Sequence, residues 1–393
     1  MKMTTNSESE LDTIKEAIAT GRIKAITLDT SIFDRNSLRL ESGLLRRLSQ
    51  FSENNVLFVL SDVVEREAIR HITTQILEVK QEAEKALAKL AKTLTQETAA
   101  IAEFRSTVLD NKDPHSLALE RYQSFKNDTG LQIVCSDEYV TVDTLMHSYF
   151  NSEPPFAATG SKKHEFPDAV TLLAIEAWAK EENGLVLAVS TDRDWETFCS
   201  QSNHIEFLGD LSAALGLFQI QDTSQACIHL YERYQRGEIP EIDQHINDAV
   251  SDELEAIDLD PVAASGFRYE LDTTTFFINT IQLDLPKNEG APFKPVQFSE
   301  NEITVEATVI ANISVDFVFE FFTFDSVDRE DVSLGSGSSS VDKSFSFRIL
   351  ITLSGNLSDL GGIIEIEDIE ATLLDRPVFD CGEIEPDWLH DER

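Results

Sequence analysis

The chain has 393 residues, 41% of them hydrophobic, and a net charge of −39. That length accommodates two or three domains of roughly 100 to 200 residues each, and no apolar run approaches the ~18 residues of a membrane span. Cys135, Cys199, Cys227 and Cys381 lie far apart, which excludes a Cys-x-x-Cys pair and reads as buried apolar thiols in a reducing compartment.

The acid is uneven. Residues 1 to 222 hold 35 Asp and Glu against 22 Lys and Arg, whereas residues 223 to 393 hold 36 against 10. A surface this negative repels nucleic acid at long range, so binding a polyanion requires local basic residues, metal ions or a protein that covers the acid.

In chain order, residues 11 to 20 predict a short amphipathic helix stopped by Gly21. The start has no apolar signal-peptide centre, so a cytoplasmic location is expected. Ile23 to Leu28 form a first buried strand that runs into Asp29, Thr30 and Ser31. Leu38 to Phe51 have helical spacing and Val56 to Leu60 make a second buried strand, so the chain begins as a βαβ unit. Asp62 opens a helix, and no Gly or Pro interrupts Leu44 through Asp113 while apolar residues recur every three, four or seven positions. An extended helix, or a hairpin bent near Thr95 to Thr98, therefore stands as an insertion over about residues 74 to 128. Its stripe packs on the parent domain, pairs with a second copy, or clamps substrate.

Leu131 to Cys135 are a possible strand, Val142 to Phe150 a short helix, and Asn151 to Gly160 a loop. Pro167 suits the first turn of a helix that Asn183-Gly184 ends, Leu185 to Val189 are a further buried strand, and Ile205 to Leu208 a last one. Residues 223 to 262 read as a helical linker. From about residue 263 the period is two: Ile303 to Phe321 and Phe345 to Leu353 alternate apolar and polar, which predicts an acidic antiparallel β-sandwich to residue 393. Ser333 to Ser340 (SLGSGSSS) and Pro286 to Pro295 are expected as its loops.

Strands joined by helices build a mostly parallel sheet, and such sheets bind ligands beyond the carboxyl ends of their strands. Asp29 and Asp192 fall at such ends; Glu65 and Asp168 fall in first helical turns beside that edge. Acids gathered there repel one another unless a cation sits among them, and oxygen donors without His or Cys select Mg²⁺ or Mn²⁺. Arg35, Arg39, Lys162, Lys163, His164 and Arg193 are the basic residues nearest in sequence and could contact phosphates. Each also has a purely structural reading: Asp168 favours a helix N-terminus, Asp194 an N-cap, Thr30 and Ser31 a turn, and the basic residues a solvated surface. No phosphate-cradling glycine loop and no nucleophile elbow is present, and a dehalogenase-type second Asp is replaced by Ser31.

In order and placement, DTSIF at Asp29, EREAI at Glu65, FPDAV at Asp168 and STDRDW at Asp192 resemble the PIN-domain ribonucleases over about residues 20 to 215. The resemblance implies an α/β nuclease domain over residues 1–222 that holds one or two Mg²⁺ or Mn²⁺ ions and cuts single-stranded RNA, or DNA, through metal-activated water. It implies Asp29, Glu65, Asp168 and Asp192 as metal acids, Asp194 as an auxiliary acid and a hydroxyl of Thr30 or Ser31 beside the first. Known members include bacterial toxins and antiviral effectors, so restraint by the C-terminal domain or a partner is expected. The long insertion and the tail domain depart from the small members, and a non-catalytic protein that kept the fold is the alternative.

Overall fold

Ile23–Leu28 is apolar on both faces, and Ala25 to Leu28 are all fully buried, as the middle strand of a parallel sheet requires. The computed structural model describes residues 8–52, 54–93, 99–109, 112–156, 166–219, 223–239, 241–257, 259, 261–285, 292–299, 302–325, 330–355, 364–374 and 377–389. It divides into two units, Met1–Phe218 and Gln219–Arg393.

The first unit runs α1 (Glu8–Ala19), β1 (Ile23–Leu28), α2 (Thr30–Arg35), α3 (Gly43–Arg46), β2 (Leu57–Ser61), α4 (Asp62–Thr93), α5 (Ala99–Phe104), α6 (Pro114–Thr129), β3 (Gln132–Val134), α7 (Ser136–Tyr139), α8 (Val142–Asn151), α9 (Phe166–Glu181), β4 (Leu185–Val189), α10 (Arg193–Cys199), β5 (Ile205–Leu208) and α11 (Leu211–Leu217). All neighbouring strands pair in parallel, in the order β3-β2-β1-β4-β5. The chain steps outward from β1 to β3 and then returns to lay β4 and β5 on the other side. The order thus reverses between β1 and β4, which is where parallel sheets open a ligand crevice.

The helix expected over Leu38 to Phe51 is shorter than its spacing predicts, consisting of α3 and one 3₁₀ turn, Arg47–Phe51. Ser37, Leu38 and Gly43 take positive φ of 54°, 55° and 61°, a backbone that cannot continue a right-handed helix. In α4 only Val64, Ala68 and Ile72 are buried, all in its first three turns. Farther along, the chain folds back on it: Arg105 Nε donates to Glu84 Oε1 at 3.0 Å, and Lys80 donates to the carbonyl of Lys112. Residues 94–98, where a bend was expected, lie outside the described residues. Asp113 starts the return helix by accepting from the backbone N–H groups of His115 and Ser116 with Pro114 at the first position, and Gly130 ends it at φ 64°.

The second unit runs α12 (Thr223–Gln235), α13 (Ile242–Glu255), β6 (Val262–Ala264), β7 (Arg268–Leu283), β8 (Lys294–Phe298), β9 (Glu302–Asp325), β10 (Glu330–Gly355), β11 (Ile364–Leu373) and β12 (Asp380–Glu383). Its main sheet is antiparallel, β11-β10-β9-β7 with β8 also on β9. Every second residue from Ile303 to Phe321 points into one core. The layer facing this sheet is composite: α12, α13 and the parallel pair β6–β12 cover it with Cys227, Leu230, Ile246, Val250, Leu254 and Phe379. The stretch expected as a helical linker is therefore built into that core.

The SLGSGSSS stretch, expected as a loop, lies inside β10, with Ser336 opposite Glu320 and Ser340 opposite Asp316. Its glycine serves close approach. A Cβ on Gly337 would stand 2.3 Å from the Glu385 carbonyl oxygen and 3.0 Å from the Phe321 ring, and Trp388 Nε1 donates to the Leu334 carbonyl at 2.8 Å. The tail segment thus crosses the strand where a side chain would block it. Of the other expected loop, residues 286–291 lie outside the described residues and Lys294-Pro295 opens β8. Among the described residues no helix is long and apolar enough to cross a membrane.

Candidate active site

Asp29 is the residue on which β1 turns into α2, with φ −83° and ψ 157°. Its N–H donates to the Val189 carbonyl at 3.0 Å and so carries the β1–β4 ladder one step past the strand. Asp29 is only 7% exposed. Its Oδ2 accepts from Ser31 Oγ at 2.5 Å and from Ser190 Oγ at 2.7 Å. Ser190 Oγ also accepts from the Asp192 N–H at 2.9 Å, and Ser31 Oγ accepts from the Thr191 N–H at 3.3 Å. Two serines therefore stitch the ends of β1 and β4 around one carboxylate.

Asp192 leaves β4 in extended backbone and caps α10, its Oδ1 accepting from the Asp194 N–H at 2.7 Å. Asp168 sits in the first turn of α9, and its Oδ1 accepts from the indole Nε1 of Trp195 at 3.1 Å. A buried Trp needs a partner for that N–H, and Trp195 is 1% exposed. The Ser61 and Thr171 hydroxyls, 2.9 Å apart, tie the end of β2 to α9. From the opposite side Thr30 Oγ1 donates to Glu67 Oε2 at 3.0 Å, and Arg70 stands 3.7 Å from the other oxygen of Glu67.

Electrostatics show which acids share the edge. Burial pushes the Asp29 carboxyl above its ordinary range against the hydrogen bonds from Ser31 and Ser190, and the charge of Asp192 adds to the rise. Asp168 is pushed up to about 6, first by burial; the Trp195 bond opposes this, while the charges of Asp29, Asp192 and Glu67 reinforce it.

Glu67 is the glutamate of α4 whose charge reaches Asp168. The Glu65 carboxylate instead takes Lys126 Nζ of α6 at 3.1 Å. Residues two apart on a helix point about 200° apart, so the two glutamates cannot serve one pocket. Asp194 lies in the first turn of α10. Thr30 and Ser31 hold acids by hydrogen bonds, Arg35 ends α2 half-buried, and Arg193 is exposed at the start of α10. Lys162, Lys163 and His164 lie outside the described residues. Sequence reasoning missed Ser190 and Trp195; an apolar strand ending in Ser, and a Trp in the first turn of the next helix, were the signals available. Glu67→Gln is expected to lower any metal-dependent activity by about 10- to 100-fold while Glu65→Gln leaves it within about twofold, as read by initial rates on one substrate.

A family model described as the PIN domain matches residues 26–195. The first unit carries a PIN domain. No curated protein and no solved structure matches the chain. The PIN match begins inside β1 and ends at Trp195, so it spans Asp29, Glu67, Asp168, Asp192 and the indole that holds Asp168. The second unit lies outside it. PIN domains are generally nucleases, which places this unit among the hydrolases at that coarse level. The donor chemistry fits a divalent metal ion, since the gathered side chains offer carboxylate oxygens alone. Among the described residues no three of His, Cys, Asp and Glu lie close enough to hold one ion as they stand. Each of these acids has its own donor: Asp29 has two serines, Asp168 has Trp195, Asp192 the turn of α10 and Glu67 has Thr30.

Proposed function

We propose that the PIN unit is a Mg²⁺- or Mn²⁺-dependent endoribonuclease that hydrolyses single-stranded RNA. One observation carries the reading: Asp29, Asp168, Asp192 and Glu67 gather at the point where the sheet order reverses, and burial first, then one another's charge, raises the Asp29 and Asp168 carboxyls. Bound there, a divalent ion would neutralise the acids, polarise a phosphate oxygen and activate a water. The chain itself supplies orientation. Ser31 and Ser190 fix the Asp29 carboxylate, the indole of Trp195 turns Asp168, and Thr30 holds Glu67 toward the same edge. Cleavage of DNA is a variant of this reading. The same proposal assigns the acidic second unit, or a partner protein, the role of restraining a toxin or defence effector in the cytoplasm, and gives the α4–α6 insertion the contact with a second copy.

Metal titration tests it. Mn²⁺ at about 100 times its Kd is expected to stabilise the protein by about 2.7 kcal/mol, read as a rise in melting temperature, and to switch on cleavage of labelled single-stranded RNA. Asp192→Asn should show neither response. A melting curve indifferent to Mn²⁺, with RNA and DNA both intact, would overturn the reading. A PIN-like interaction protein without catalysis is the second reading; it predicts that indifferent curve.

A further inference from the structure

Glu67 belongs to α4 and Asp168 to α9, so the two carboxylates can share one ion only if those helices are held at a fixed spacing and rotation. Their charges already reach each other, since Glu67 adds to the rise of the Asp168 carboxyl. One hydroxyl joins the two helices. Ser61 ends β2 immediately before α4, and its Oγ accepts from the Val64 N–H in the first turn of α4 at 3.2 Å. The same Oγ lies 2.9 Å from Thr171 Oγ1. Thr171 follows Asp168 by three residues on α9 and stands about 60° from it around the helix, so the two share one side.

Ser61, Val64 and Thr171 are all buried, and Val59, Leu172 and Ile175, their neighbours in the chain, belong to one apolar core. A neutral hydrogen bond there adds little net stability, because the unfolded chain makes the same bonds to water and an apolar pair of the same shape would pack as well. What it adds is direction. A hydrogen bond is confined in distance and angle, whereas apolar contacts let a helix slide and turn. We propose that Thr171 is a positioning residue: its hydroxyl, through Ser61, locks the rotation of α9 against the start of α4 and keeps the backbones that carry Asp168 and Glu67 in register, so that both carboxylates turn onto one divalent ion when it binds. The inference rests on the metal site of the reading above and adds to it a residue behind the acids. The size of the effect follows from how steeply such sites depend on placement: a misplacement of ~1 Å costs up to about 100-fold, and partners behind the metal ligands cost about 10- to 100-fold in affinity.

Threonine carries a methyl and a hydroxyl, so substitution can separate packing from hydrogen bonding. Thr171→Val keeps the methyl and Thr171→Ser keeps the hydroxyl. In the full chain, Mn²⁺ binding is read by loss of the free ion's electron paramagnetic resonance spectrum, which reports affinity without turnover. Thr171→Val is expected to raise the Mn²⁺ Kd about tenfold, and Thr171→Ser to stay within about twofold of the parent. Ser61 Oγ keeps the Val64 N–H in both, so melting without metal should change little. Thr171→Ala also lacks the hydroxyl and favours a helix; it should bind Mn²⁺ as weakly as Thr171→Val and replaces it in the comparison if that variant does not fold. With single-stranded RNA, Thr171→Val should need about tenfold more Mn²⁺ to reach half its maximal rate, while KM for RNA stays within about twofold. Binding of Mn²⁺ by Thr171→Val as tight as the parent's, or by Thr171→Ser as weak as that of Thr171→Val, overturns the inference and leaves the nuclease reading standing. A parent chain that takes up no Mn²⁺ overturns both.

Discussion

Asp29→Asn and Asp168→Asn are each expected to lower Mn²⁺-dependent cleavage of single-stranded RNA at least about 100-fold, since even residues behind the metal ligands cost about 10- to 100-fold. Asp168→Asn should also make the metal-free protein more stable at pH 7. Folding raises the Asp168 carboxyl from 3.8 to about 6, chiefly by burial. Between those values the native state binds more protons than the unfolded chain, so stability falls as pH rises through that window and the loss is complete above about 6. Asn cannot ionise and still offers Trp195 an acceptor oxygen. Melting curves without metal should show the variant above the parent at pH 7, with the two converging near pH 4. Adding Mn²⁺ should reverse the order at pH 7, because only the parent regains its counter-charge. Convergence at high rather than low pH would contradict the assignment of Asp168 as an acid whose carboxyl is raised by desolvation.

Breaking one ion pair in the second unit should have the largest effect on stability. Arg348 Nε stands 2.8 Å from Glu306 Oε2, and their side chains are 7% and 8% exposed. They occupy diagonal positions of β9 and β10, with Arg348 opposite Thr308 and Glu306 opposite Leu350, on the face away from the Ile303–Phe321 core. Thr304 and Thr352, both buried, lie alongside with their hydroxyls 3.3 Å apart. Opposite charges buried together offset each other's desolvation, so removing Arg348 leaves the Glu306 charge buried without it. Arg348→Met is expected to cost about 3–5 kcal/mol, and the double change Arg348→Met, Glu306→Leu to recover most of that loss. Urea midpoints followed by far-ultraviolet circular dichroism measure both. An additive double variant would show that the pair is not coupled.

The sequence by itself determined the strands that flank the crevice of the first unit, because a strand buried on both faces must be an unbroken apolar run and each of these runs ends in a polar residue at one edge. IKAITL before Asp29 and LVLAV before Ser190 announced the two strands that flank the crevice, and the alternation from Ile303 to Phe321 announced a one-sided antiparallel sheet. What alternation cannot say is what covers the buried face. Helices α12 and α13 do so, although residues 223 to 262 read as a linker. Glycine content also misleads on its own: SLGSGSSS is strand because it pairs along β9, and Gly337 is there to admit the tail backbone, a contact between residues 48 positions apart that no local pattern records.

The choice between Glu65 and Glu67 belonged to the tertiary structure alone. The buried stripe Val64, Ala68 and Ile72 sets the face of α4 that meets the sheet, and the two glutamates flank that stripe on opposite sides. Helical phase puts Glu65 about 60° and Glu67 about 100° from the centre of that stripe and does not say which one meets the other acids. Only the packing of α2 on one flank and α6 on the other separates them, sending Glu67 to Thr30 at the acidic edge and Glu65 to Lys126 away from it.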